Sequence, residues 1–168
     1  MEKNELNFGP RKKAARDLAK KLIKDARVKE APVSLQVIVE HLQKDFDLTV
    51  SRVDLSAGVS GLLVRCNDLD GEYYAIGFNQ NEPWCRRRFT IAHEIGHMLF
   101  GHVCFKNKGL KDDNEKEADV FAAELLIPTT LIKKDFQKLP DVPQLSKLYR
   151  VSAEAMGIKI GECSGLLK

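Results

Sequence analysis

The stretch His93-Glu94-Ile95-Gly96-His97 sets two histidines four residues apart with a glutamate between them, inside an almost wholly apolar run that includes Phe89, Ile91, Ala92, Met98, Leu99 and Phe100. Such a run can fold as little else than a buried helix. Each helical residue turns about 100°, so the two imidazoles lie within roughly 40° of each other, one turn apart. Ionisable groups in an apolar helix cost several kcal/mol unless a partner compensates them. A zinc ion taking one nitrogen from each ring is such a partner. Glu94 stands about 100° round from His93, beside the metal axis, which suits a base acting on water better than a third ligand.

Catalytic zinc takes three protein ligands and keeps one position open. The segment from Asn114 to Pro128 reads as a helix, with Ala118, Phe121, Ala122 and Leu125 at helical spacing and Pro128 as its stop. Glu117 adjoins this apolar stripe and is the expected third ligand. Glu115 and Asp119 compete within a turn on either side. For Glu115 the favoured reading is a solvated residue of a dipole-matched first turn.

The string Arg88-Phe89-Thr90-Ile91-Ala92-His93-Glu94-Ile95-Gly96-His97, followed by Glu117-Ala118, Phe121-Ala122, Leu125-Leu126 and Pro128, closely resembles the ImmA/IrrE family of zinc metallopeptidases. The resemblance covers roughly residues 14 to 160 and is densest from 86 to 128. It implies a zincin-like, gluzincin-type arrangement with a Zn2+ cofactor, metal ligands His93, His97 and Glu117, and catalytic Glu94. It further implies an intracellular regulator, of bacteria or of phage and other mobile elements, that cuts helix-turn-helix repressors.

With 168 residues, 43% hydrophobic and 30% charged, the chain has the balance of one globular domain with a small appendage. No apolar run approaches the ~20 residues that span a bilayer, and the amino terminus lacks an apolar signal-peptide centre, so a cytoplasmic protein is expected. Cys66, Cys85, Cys104 and Cys163 form no C-x-x-C pair and read as thiols of a reducing compartment, Cys104 as a core filler. Residues 1–30 carry 10 Lys or Arg against 5 Asp or Glu, which reads as the wet face of an amphipathic helix before a nucleic-acid surface.

The expected class is α+β. After a flexible tail over 1–9, a metallopeptidase domain spans 10–130 and a helical extension packs on it over 131–168. Helices are expected over Pro10–Ala26 and from Ser34, a fitting N-cap, through Leu42. Strands follow at Leu48–Val53, Gly61–Arg65 and Tyr73–Phe78, with a turn cluster at Asn67–Gly71, forming a small, mainly antiparallel sheet ahead of the metal helix. Tyr73–Asn79, the last strand before the cleft helix, is the expected holder of an extended substrate if its edge is free, with an internal strand as the alternative. Beyond Pro128, helices are expected over Leu131–Phe136, Val142–Tyr149 and Ala153–Ile160. The last two, with Ser152 as cap, resemble a helix-turn-helix. The second of them opens Ala153-Glu154-Ala155-Met156, a carboxylate without the donors that read base edges, so packing or partner docking is favoured over DNA.

The expected chemistry is metal-assisted peptide hydrolysis with Glu94 as general base and acid. His102, Tyr73, Tyr149 and the run Arg86-Arg87-Arg88 are the available oxyanion donors. Their plainer readings are a helix-end histidine bonded to carbonyls and a solvated charge run. Two other classes compete: a module that docks a repressor without cutting it, and a DNA-associated sensor.

Overall fold

In the computed structural model, residues 10–69, 71–102 and 108–166 are described. The tail over 1–9 and Cys104 lie outside them. Among the described residues the order is α1 (Lys12–Asp25), α2 (Leu35–Leu42), β1 (Asp47–Val53), β2 (Gly61–Asp68), β3 (Gly71–Asn79), α3 (Trp84–Phe100), α4 (Lys108–Leu126), α5 (Thr129–Lys138), α6 (Val142–Tyr149) and α7 (Ala153–Cys163), closed by a 3-10 turn. This is the α+β arrangement with a small sheet and a carboxy-terminal helical part. No described helix is long and apolar enough to cross a membrane.

The sheet is mixed. Its order is β1-β3-β2, with β1 parallel and β2 antiparallel to β3. The turn around Gly71 (φ +130°) makes β2 and β3 a hairpin. The connection Asp54–Ser60 carries the chain past the place that β3 then fills, so β1 and β3 pair without being neighbours in sequence. One of the two strand pairs is antiparallel, and of the two places open to the strand containing Tyr73–Asn79 it takes the internal one, flanked on both sides. The edge beside the metal helix belongs to β2.

One face of the sheet packs on α3, α3 packs on α4, and α4 packs on α1. Small residues permit these close approaches. Ala15 and Ala19 of α1 are fully buried. A Cβ on Gly96 would stand 3.0 Å from the Phe121 ring and 3.2 Å from the Ala118 backbone. The core runs continuously from Ile38 and Leu48 through Ile76, Ile95 and Phe121 to Leu145, Tyr149 and Met156, so α6 and α7 share it.

Helix ends follow the expected chemistry. Ser34 accepts from the Val37 N–H, Asp141 from Gln144 and Ser152 from Ala155. Glu124, fully buried at the end of α4, accepts from the Thr129 N–H (3.0 Å) and hydroxyl (2.7 Å), opening α5. Its second partner is the buried Lys159 ammonium of α7, 2.6 Å away. That ion pair pins α7 to the helix that follows the metal helix. Arg88 departs from the solvated run expected of 86–88: it is 5% exposed and donates to the Val33 carbonyl at 2.9 Å, closing the α2 approach onto α3. Burial pulls its guanidinium below the usual range.

Candidate metal centre

Helix α3 presents His93 and His97 on one face, and their Nε2 atoms stand 2.9 Å apart. The third group there is Glu115, whose Oε2 lies 3.3 Å from His93 Nε2 and 3.7 Å from His97 Nε2. Ligand atoms held at about 2.05 Å in a tetrahedron are roughly 3.3 Å from one another. The three separations scatter on either side of that value, so the cluster has the span of a zinc site.

Glu117, the expected third ligand, is elsewhere. Its carboxylate accepts from the Arg11 backbone N–H (2.7 Å), from Arg11 Nε (3.0 and 3.2 Å) and Nη2 (2.8 Å), and pairs with His102 Nε2 (3.1 Å). The reason lies in α4 packing against two helices, α3 and α1. Residues 115 and 119 are about 40° apart around a helix, while 115 and 117 are about 200° apart. Glu117 borders the apolar stripe, as the sequence indicated, but on the side turned to α1. The pair at four-residue spacing faces α3. Asp119 does not join the trio; its Oδ1 lies 2.9 Å from His93 Nδ1, on the far side of the ring.

These partners decide where the protons sit. A carboxylate at His93 Nδ1 needs an N–H there, which leaves Nε2 with its lone pair in the neutral ring. Burial works to raise the Glu117 carboxyl, but the Arg11 bonds and His102 outweigh it and bring it to about 2. It is therefore ionised and takes the His102 Nε2–H. Burial lowers the His102 imidazolium, so the ring is neutral and its Nδ1 is an acceptor. That acceptor is 2.9 Å from His97 Nδ1, which must donate, so His97 Nε2 also carries a lone pair. Three acceptor atoms thus converge with no proton assigned among them.

Such a trio is repulsive unless a cation or a proton sits between its members. Burial alone would lower the His93 imidazolium, but the Asp119 bond and nearby carboxylates raise it instead. Burial, then the charge on His93, lowers His97 to about 4. A proton between the two rings would relieve that repulsion as a metal ion does, so the two compete for the same lone pairs. The residues fit zinc.

Local backbone chemistry places His102. Gly101 ends α3 at φ +63°, a conformation a side chain disfavours, and the chain turns back so that the His102 N–H reaches the His97 carbonyl at 3.0 Å. The ring then lies against that of His97.

Glu94 is half-buried beside the trio, and burial raises its carboxyl toward the range of a working base. The start of β2 approaches it: a Cβ on Gly61 would lie 2.3 Å from Thr90 Cγ2 and 3.5 Å from Glu94 Oε1. Glycine at 61 is what lets the edge strand come this close. On the other side, a cavity of about 670 Å³ is walled by Phe89, Asp119, Val120, Leu126 and Ile158.

Of the oxyanion donors considered, Tyr149 is buried with its hydroxyl on Asp135 at 2.6 Å. Tyr73 pairs with Cys66, five residues along β3 from the Phe78–Gly61 end, or roughly 16 Å away. Of the arginine run, Arg86 reaches that end, donating to the Ser60 hydroxyl at 3.3 Å. Glu115 and Asp119, the competitors of Glu117 in the sequence, are the two carboxylates that meet the His93 ring. The signal was their four-residue spacing, the same device that pairs His93 with His97.

No curated protein sequence matches the chain. Among solved structures, a Mycobacterium tuberculosis transcriptional regulator superposes with a TM-score of 0.64 at 14% identity, over 86% of this chain and 45% of that one. The chain thus spans less than half the length of that relative, and the likeness is one of fold. The model of the IrrE N-terminal-like domain, Peptidase_M78, matches residues 43–160, which contain the whole trio, Glu94 and the β2 edge. The chain belongs to the IrrE N-terminal-like domain family of peptidases.

Proposed function

We propose that this chain is a zinc-dependent endopeptidase acting inside the cell on a helix-turn-helix transcriptional repressor. The convergence of three proton-free acceptor atoms beside a half-buried carboxylate carries the reading. A zinc ion held by His93, His97 and Glu115 would supply Lewis-acid polarisation of the scissile carbonyl and acidify a water molecule. Glu94 takes the proton from the attacking water at its carboxylate and returns it to the nitrogen of the departing amine. Asp119 holds the His93 ring in its working orientation. The free side of β2 offers backbone N–H and C=O groups to an extended peptide, with Gly61 keeping that peptide close to Glu94. The cavity beside Phe89 and Asp119 takes an apolar side chain.

The repressor as substrate is supported by the family resemblance; the solved neighbour is itself described as a transcriptional regulator. Purified repressor incubated with the zinc-loaded chain tests the proposal on a gel. Discrete fragments are expected, absent with Glu94→Gln although that variant retains zinc. Cutting by Glu94→Gln would refute the assigned base. Loss of repressor–DNA binding with intact repressor would favour a docking module.

A further inference from the structure

Glu117 is 3% exposed, and it is not needed to complete the trio. A buried carboxylate and its cation are no more stabilising than well-packed apolar residues of similar volume, so folding alone does not explain them. Their geometry does. From Arg11 the contacts run to Glu117, from Glu117 to His102 Nε2, and from His102 Nδ1 to His97 Nδ1, each at 2.7–3.2 Å. The same residues are also stacked: the Arg11 guanidinium lies over the Phe100 ring at 5.0 Å, and that ring stacks on His102 at 5.2 Å with planes 16° apart.

We propose that Arg11, Glu117 and His102 form a positioning relay that fixes the His97 ring with its Nε2 lone pair toward the metal, making the residue before α1 part of the metal centre. The inference rests on His93, His97 and Glu115 being the zinc ligands. Each member has one task. Arg11 holds and aims the Glu117 carboxylate. Glu117 claims the proton on His102 Nε2, and His102 consequently accepts from His97 Nδ1. Without the relay, His97 has no fixed acceptor at Nδ1 and is free to put its proton on Nε2, the ligating atom. His102 and Glu117 are positioning residues here; neither touches the reacting atoms.

The test compares the unaltered chain with Arg11→Ala, Arg11→Lys, His102→Ala and Glu117→Gln. It measures zinc affinity by chelator competition and the protonated nitrogen of His97 by ring 15N NMR of the zinc-free protein. Zinc affinity is expected to fall roughly 10–100-fold in Arg11→Ala, His102→Ala and Glu117→Gln, the usual effect of losing an outer-shell partner. Arg11→Lys, which keeps the charge but not the fork, should fall between. The His97 Nδ1–H signal should give way to a mixture of tautomers. Arg11 is exposed and Arg11→Lys keeps a cation beside Glu117, so that variant gives a readout even if His102→Ala does not fold. Normal affinity and an unchanged His97 tautomer in the Arg11 variants would overturn the relay. No zinc uptake by the unaltered chain would instead overturn the zinc reading beneath it. Zinc retained by Glu115→Gln but abolished by Glu117→Gln would make Glu117 a ligand and overturn both.

Discussion

Replacing Glu117 by Gln removes the charge that Arg11 and His102 surround. The carboxyl sits at about 2 against an ordinary 4.5. A gap of about 2.5 units, at 1.36 kcal/mol each, is worth about 3 kcal/mol at neutral pH. Arg11 is 58% exposed and rehydrates when its partner loses charge, so the true loss falls at or below that figure. Because the folded value is depressed, the stabilisation is fully present above pH 4.5 and is lost as pH falls toward 2. About half of it remains at pH 3. Urea unfolding of both chains, with zinc removed by chelator, measures this at pH 7 and pH 3. Glu117→Gln should be less stable at pH 7 by up to about 3 kcal/mol, a drop in Tm of at most roughly 6–12 °C, and the difference should shrink by about half at pH 3. A difference that is absent at pH 7, or that does not narrow in acid, would refute the assignment of Glu117 as an ionised, buried carboxylate.

Gly61→Ala drives a methyl into Thr90 Cγ2 and should lower kcat/KM at least tenfold as β2 moves off α3; adding Thr90→Ser, which deletes that carbon, should recover part of the loss, and strict additivity in the double variant would contradict the contact. Lys159→Met leaves the Glu124 carboxylate buried without its cation and should cost about 3–5 kcal/mol in urea unfolding, while the double change with Glu124→Leu should recover much of it; equal costs for the single and double variants would argue against a buried ion pair. Apparent zinc affinity should rise with pH until His93 and His97 are both neutral and then level off, because a proton on either Nε2 blocks the site; a pH-independent affinity between pH 5 and 8 would show that no proton is displaced.

The metal helix was legible because its message is local. Two imidazoles and a carboxylate at positions 93, 94 and 97 of an apolar helix need no tertiary information to be placed on neighbouring faces. The caps at Ser34 and Ser152 were legible for the same reason. Which carboxylate of α4 approaches the two histidines was not, because α4 packs on both α3 and α1 and periodicity cannot say which side meets which. Arg11, more than a hundred residues from Glu117, supplied the missing distinction. The place of β3 in the sheet was hidden similarly: a hairpin between β2 and β3 is written in the turn at Gly71, but the parallel pairing of β1 with β3 depends on how Asp54–Ser60 crosses. Arg88 reads as one of three like charges in sequence, and only the approach of Val33 makes it a core residue.

Anomalous diffraction at the zinc edge from crystals of the zinc-loaded chain tests the central claim most directly. The expected result is one peak bonded to His93 Nε2, His97 Nε2 and a Glu115 oxygen at about 2.0–2.2 Å, with Glu117 still held by Arg11 and His102. A peak coordinated by Glu117, or no peak between the two imidazoles at saturating zinc, would contradict it.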